Sequence, residues 1–233
     1  MMIVIDGSDG SGKTAISKRL VSILKNAGIQ VEYKKFELNL ENLTLSKGIY
    51  DLIKFFNKFF PRIDKEEYRE EYGKVLVGKK STSFRDKLVS SFIIFDKTLT
   101  AILMKFRYRK AILILDAYVY DNLVPLYCRG LIPRTVYNFI LFLKPFIRGD
   151  VEIILDGPTE KLFERRKGMD YDSIDFVNCN RKYFRDVAIK MRSPVVYVDS
   201  PVGVTINKVL NAFLKQLPGY NREEHLLHIL LSL

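Results

Sequence analysis

Met2-Ile3-Val4-Ile5, followed at once by Asp6-Gly7-Ser8-Asp9-Gly10-Ser11-Gly12-Lys13-Thr14, is the stretch that decides the fold. Four apolar residues ending in a turn signal read as a fully buried strand, while Ala15 to Leu24 sets Ile16, Leu20, Ile23 and Leu24 on one helical face. Between them, Gly7, four residues and Gly12-Lys13-Thr14 spell G-x-x-x-x-G-K-[ST], in the strand-to-helix context that this pattern requires. Glycines let a backbone wrap an anion with no Cβ in the way, so the amides from Gly7 through Ser8, Asp9, Gly10, Ser11 and Gly12 are expected to point inward. Lys13 is then expected to reach the β and γ phosphates of a nucleoside triphosphate, and the Thr14 hydroxyl to ligate Mg²⁺. The helix opening there adds its positive end.

Downstream, Asn26-Ala27-Gly28 stops the first helix and Ile29 to Tyr33 reads as a second strand, with Lys34 and Lys35 at its carboxyl edge. Ligands of open parallel sheets bind beyond the carboxyl ends of strands, so these lysines are placed to meet a phosphate or are simply a solvated pair. Residues 37–80 show helical pieces without strand-like alternation and read as a helical insertion. Phe84 to Tyr108 is a long helix whose apolar positions 88, 92, 95, 99, 102, 103 and 106 mark one face. Three further buried strands follow: Ala111 to Asp116, Val151 to Asp156 and Val195 to Asp199. The helical sequence between strands is long enough for crossovers. That predicts an α/β three-layer sandwich with a five-stranded parallel sheet, covered by helices on both faces.

The 233 residues, 48% hydrophobic, suit a single domain over 1–233 with a sizeable core. Position 3 already belongs to a strand, so no signal peptide is expected, and no apolar run approaches a membrane span; a cytoplasmic protein without a membrane partner is expected. Cys128 and Cys179 lack metal-type spacing, and with His225 and His228 they read as structural. A net charge of +11 points to anionic partners. Nucleotides satisfy that requirement, and the basic residues are spread along the chain rather than forming an aromatic-interleaved stripe, so nucleic acid is not expected.

The phosphate loop, the strand ending in Asp116 and Leu155-Asp156-Gly157-Pro158 opening an arginine-rich segment make the chain resemble the thymidylate kinase family over about residues 1–217. The loop is similar to that family's E-G-x-D-G-x-G-K-[ST], with Asp6 in place of the glutamate, and Asp9 would lie near the acceptor's sugar. Gly10 resembles the subclass that carries its arginine in a flexible lid, here about 160–175, where Glu164-Arg165-Arg166-Lys167 falls. The resemblance implies a P-loop kinase using ATP and Mg²⁺ to phosphorylate a nucleoside monophosphate, dTMP to dTDP. Lys13, Arg165 and Arg166 would be catalytic, and Asp116 would hold water on the metal that Thr14 ligates.

Asp116-Ala117-Tyr118 occupies the place of the family's D-R-[YH], but the arginine that grips the acceptor phosphate is missing at Ala117. The resemblance further implies acceptor contacts from Lys35, Phe92, Lys97 (beside Asp96) and Tyr118, with Lys35 and Lys97 standing where the family has arginines. Pro125 falls where the family has a polar base contact. Phe176, Arg181 and Tyr183 resemble the segment after the lid, and Val198-Asp199-Ser200 the last strand and its adenine-side loop. A homodimer through the long helix near Phe92 to Phe106 is implied too. Two other readings stay open: the same fold with a different acceptor, and a nucleotide-binding protein with little kinase activity.

Overall fold

Every strand of the sheet ends its hydrogen-bonded run on the side where the glycine-rich loop lies. A computed structural model describes residues 1–36, 84–107, 112–166 and 173–216. Its strands are β1 (Met2–Gly7), β2 (Val31–Lys35), β3 (Ile112–Asp116), β4 (Val151–Asp156) and β5 (Val195–Tyr197), all parallel, in the order β2-β3-β1-β4-β5. The order puts β1, with no charged residue before Asp6, at the centre. Ile3, Val4 and Ile5 have no exposed surface, as expected of a strand covered on both faces.

The helices are α1 (Lys13–Asn26), α2 (Phe84–Arg107), α3 (Val119–Cys128), α4 (Arg134–Phe142), α5 (Lys144–Ile147), α6 (Thr159–Arg165), α7 (Ile174–Met191) and α8 (Val202–Leu214). Alternation along the strands sorts them into two layers. Ile3, Ile5, Ile114, Ile153 and Leu155 pack with Ile16, Leu20 and Leu24 of α1 and Ile206, Val209 and Phe213 of α8. Val4, Leu113, Leu115 and Ile154 pack on the other side with Ile94 of α2, Leu123 of α3, Ile140 of α4 and Val187 of α7. This is the three-layer parallel architecture expected from the strand and helix order.

Three details differ from expectation. β2 starts two residues later and ends two residues later than Ile29 to Tyr33, because the Ile29 amide turns back to the Leu24 carbonyl and finishes the helix. Lys34 and Lys35 therefore belong to the strand, paired with Leu115 and Asp116, rather than following it. In α2 the apolar stripe faces outward: Leu88, Phe92, Phe95, Leu103 and Phe106 are exposed, while Ser90, Ile94, Asp96, Lys97, Thr98 and Ala101 are buried. The inner face is the more polar one, although Ile94 and Ala101 on it join the core.

The cysteines read as structural form a disulfide, Cys128–Cys179, with Cα atoms 5.8 Å apart, tying the end of α3 to the first turns of α7. Among the described residues, no helix is long and apolar enough to cross a membrane. The expected 37–80 insertion, Lys167 of the lid and the 218–233 tail lie outside the described residues.

Candidate active site

The loop from Gly7 to Gly12 sits at the carboxyl end of the central strand, next to the ends of β3 and β4, where open α/β sheets bind ligands. Gly10 (φ 80°) and Gly12 (φ 82°) take left-handed backbone conformations. Gly10 also has no room for a side chain, since a Cβ would lie 2.6 Å from the Leu162 carbonyl oxygen. Inside the loop the Ser11 amide bonds to the Ser8 carbonyl at 3.1 Å. Among the described residues, the amides of Gly10, Gly12, Lys13 and Thr14 have no backbone acceptor, so the loop and the first turn of α1 present a group of free donors.

Lys13 lies at the centre of this cradle, buried. Its Nζ donates to the Gly7 carbonyl at 2.9 Å and pairs with Asp9 Oδ1 at 3.1 Å and Asp121 Oδ1 at 2.9 Å. Burial alone would lower its pKa, but the carboxylates of Asp121 and Asp9 outweigh it and raise the pKa, keeping the ammonium charged. Asp9 meets a second cation, Arg166, at 3.2 Å. Against the burial that opposes them, Lys13 and Arg166 hold the Asp9 carboxyl below its usual range. Asp121 is pushed up to about 6 by burial, with Lys13 opposing and Asp9 and Asp116 adding to the rise. Asp6, without exposed surface behind the loop, is raised well above its usual value by burial and then by Asp121.

Arg165 and Arg166, expected in a lid, reach the loop. Arg165 donates to the Gly10 carbonyl at 3.3 Å, and the Arg166 guanidinium lies 6.0 Å from the centre of the Phe176 ring, which Arg129 also covers at 4.4 Å. Behind them Asp156, fully buried at the end of β4, accepts from Arg181 Nε at 2.8 Å and Arg185 Nε at 2.7 Å. Arg181 also donates to Thr159, which itself donates to Asn178 Oδ1 at 2.7 Å. These bonds fasten α6 and α7 to the end of β4. Arg181 is thus engaged in anchoring, and Tyr183 packs edge-on against Tyr127 and Tyr137.

Asp116 closes β3 without exposed surface. Its Oδ2 accepts from the Tyr33 hydroxyl at 2.8 Å, and Oδ1 has no hydrogen-bond partner among the described residues. Thr14 is partly exposed in the first turn of α1. The leftover buried oxygen of Asp116 is a donor of the kind that a hard, oxygen-liganded cation takes. No cluster of three or more His, Cys, Asp or Glu side chains forms a metal cage among the described residues.

The acceptor contacts expected from the resemblance are only partly brought together. Lys97 is buried with Nζ 5.0 Å from the centre of the Phe36 ring, and that ring lies 5.2 Å from the ring of Tyr118. Tyr118 has no exposed surface, Lys35 is exposed at the sheet edge, and Phe92 lies on the outward stripe of α2. Pro125 is inside α3. Asp121, Arg129 and Phe36 were not singled out by sequence reasoning. For Asp121 the available signal was an acidic residue in the first turn after the strand that neighbours the loop.

No family model matches this chain, and no curated protein is significantly similar to it. Among solved structures, it is similar to a deoxyadenosine kinase from M. mycoides, with dCMP and a flexible dCDP bound as products. The TM-score is 0.53 at 18% identity, covering 91% of this chain and 97% of that one. The likeness shows a shared fold, a five-stranded parallel sheet between helices, extending along nearly all of both chains.

Proposed function

We propose that this protein is a phosphotransferase that moves the γ-phosphoryl group of ATP to a nucleoside or nucleoside monophosphate. The observation that carries the reading is the convergence of Lys13, Arg165 and Arg166 on a loop whose amides lack acceptors. Phosphoryl transfer asks for two reactants held in line and for charge to be neutralised, and this group of donors and cations does that. The donor's β and γ phosphates lie in the loop, where Lys13 leaves its carboxylates for them. Thr14 and Asp116 would hold a Mg²⁺ ion, which would supply charge neutralisation at those phosphates. Arg165 borders an open cleft of about 480 Å³ with Lys161, Glu164, Asp199, Ser200 and Pro201, which offers space for the donor's nucleoside part.

The similarity to a deoxyadenosine kinase supports acceptors of the nucleoside class, and the resemblance in sequence supports dTMP and a homodimer in which the outward stripe of α2 is covered. The reading is tested by calorimetry with ATP and Mg²⁺, and by acceptor-dependent ADP release over the common nucleosides and their 5′-monophosphates. ATP binding that Lys13→Ala abolishes, with at least one acceptor turned over, is the expected result. Absence of ATP binding by the wild-type chain refutes it.

A further inference from the structure

Two residues beyond the carboxyl end of β3 bear on the acceptor in the same sense. The guanidinium that the resemblance called for is replaced at Ala117 by a methyl group that is 7% exposed, and a carboxylate, Asp121, stands at 2.9 Å from the lysine of the phosphate loop. Ala117 offers an acceptor phosphate no positive charge, and Asp121 presents a negative one beside Lys13. We propose that Asp121 is the catalytic base of this site and that the acceptor it serves is the uncharged hydroxyl of a nucleoside. This rests on the phosphotransferase reading above and names the substrate class within it.

The choice of Asp121 over its neighbours follows from their partners. Asp9 contacts two cations, Lys13 and Arg166, and keeps the second when the first turns to the donor phosphates. Asp116 is engaged by the Tyr33 hydroxyl, on the sheet face packed by α1. Asp6 has no exposed surface. Among the described residues Asp121 has Lys13 as its only ion-pair partner, and its side chain keeps 19% of its surface accessible. Donor binding draws Lys13 away, which leaves a carboxylate beside the γ-phosphoryl group with its negative charge uncompensated. A phosphate acceptor would be repelled there. A hydroxyl would be hydrogen-bonded, and unlike an ionised phosphate it has a proton that must be removed.

The groups facing Asp121 are Lys13 from α1, Asp9 from the loop, Asp6 from β1 and Asp116 from β3. Three of these are acids, and with burial they favour proton uptake once the lysine withdraws, placing the group in the range where a base works near neutrality. In the transfer, the hydroxyl oxygen bonds to the γ-phosphorus as its proton passes to Asp121. The bond from that phosphorus to the bridging oxygen breaks, and its electron pair leaves with ADP. Asp121 then releases the proton to water, so that ATP and a nucleoside give ADP, a nucleoside monophosphate and one proton.

The test uses the full chain with Mg²⁺-ATP and thymidine, deoxycytidine, deoxyadenosine and deoxyguanosine, each beside its 5′-monophosphate. At least one nucleoside is expected to exceed its monophosphate in kcat/KM by about 100-fold or more, and Asp121→Asn to lower kcat on it by about 10²- to 10⁴-fold with little change in KM. Calorimetry on Asp121→Asn is expected to show ATP bound at least as tightly as by the wild type, because Lys13 no longer leaves an ion pair; this also establishes that the variant is folded. The wild-type rate is expected to fall on an acid limb that the variant's residual rate lacks. Turnover of monophosphates without nucleosides overturns the inference and leaves the phosphotransferase reading intact. Wild-type kcat in Asp121→Asn, or full recovery of its rate at raised Mg²⁺, overturns the role of Asp121. Loss of ATP binding in the wild type refutes both readings together.

Discussion

Glu152 offers the sharpest test of the electrostatics, because its environment is fixed from all sides and its effect is readable without any ligand. It sits in β4 opposite Val4, with no exposed surface, on the sheet face that carries Asp6. Its Oε1 accepts from Ser193 at 3.2 Å, while Oε2 has no hydrogen-bond partner among the described residues. Burial pushes the carboxyl from an ordinary 4.5 up to about 7, against the smaller opposing effects of the Ser193 bond and Arg148. A carboxyl whose folded pKa is raised keeps its proton where the unfolded chain has already lost it. It therefore adds stability fully present below pH 4.5 and lost as pH rises through about 7. The interval corresponds to about 3 kcal/mol, or about 6 to 12 °C in Tm for a chain of this length. Glu152→Gln keeps the shape and an acceptor for Ser193 but cannot ionise. Urea unfolding of wild type and variant at half-unit steps from pH 4.5 to 8 should show the variant gaining on the wild type by about 3 kcal/mol across the series. The other buried acids, Asp6 and Asp121, contribute to both proteins and largely cancel in the difference. A difference that stays constant with pH would refute the reasoning, whatever its sign.

Asp156→Asn leaves Arg181 and Arg185 without the buried carboxylate that both contact, and is expected to cost about 3 to 5 kcal/mol in urea unfolding. Because those arginines anchor α6 and α7, limited proteolysis should cut the variant faster than the wild type within α6 and α7; unchanged stability and an unchanged cleavage pattern would dismiss the anchoring role. Cys128→Ser opens a loop spanning 51 residues and is expected to lower stability by about 4 kcal/mol relative to the oxidised wild type. Treating the wild type with a reductant should bring it down to the variant, and equal Tm values before reduction would show that the bond contributes nothing.

The parts of the fold that the sequence made legible are those where one local pattern has one structural solution. Four apolar residues, a glycine-rich loop and a helical period left β1, the loop and α1 no alternative, and the strands ending in Asp116 and Asp156 stood out because both faces of each are covered. The second strand was displaced because Gly28 and Ile29 look equally like strand entry and helix exit; only the Ile29 to Leu24 hydrogen bond decides between them. The orientation of α2 was illegible for a different reason. Its apolar stripe is the stronger pattern and suggests an interior face, yet the buried side carries Ser90, Asp96, Lys97 and Thr98. Buried polar residues and polar residues facing water look alike along a chain. The Asp121 contact with Lys13 needed a register between β1 and β3 that no local pattern gives.

Seen in terms of charge, the resting site is a closed set of mutual neutralisations: Lys13 between Asp9 and Asp121, and Arg166 on Asp9. Such a lysine cannot serve a triphosphate without abandoning a carboxylate, so donor binding is linked to whatever next satisfies that carboxylate. In a site with an arginine at the acceptor position, the incoming acceptor would bring its own negative charge and its own counter-ion. Here Ala117 supplies none, and the least costly occupant next to a freed Asp121 is a group that donates a hydrogen bond and carries no charge. The same reasoning limits what the net charge of +11 means. Lys13 and Arg166 are matched by acids, so on the proposed reading the excess charge acts on the rate of encounter with anions, and acceptor choice rests with the few residues around Lys13.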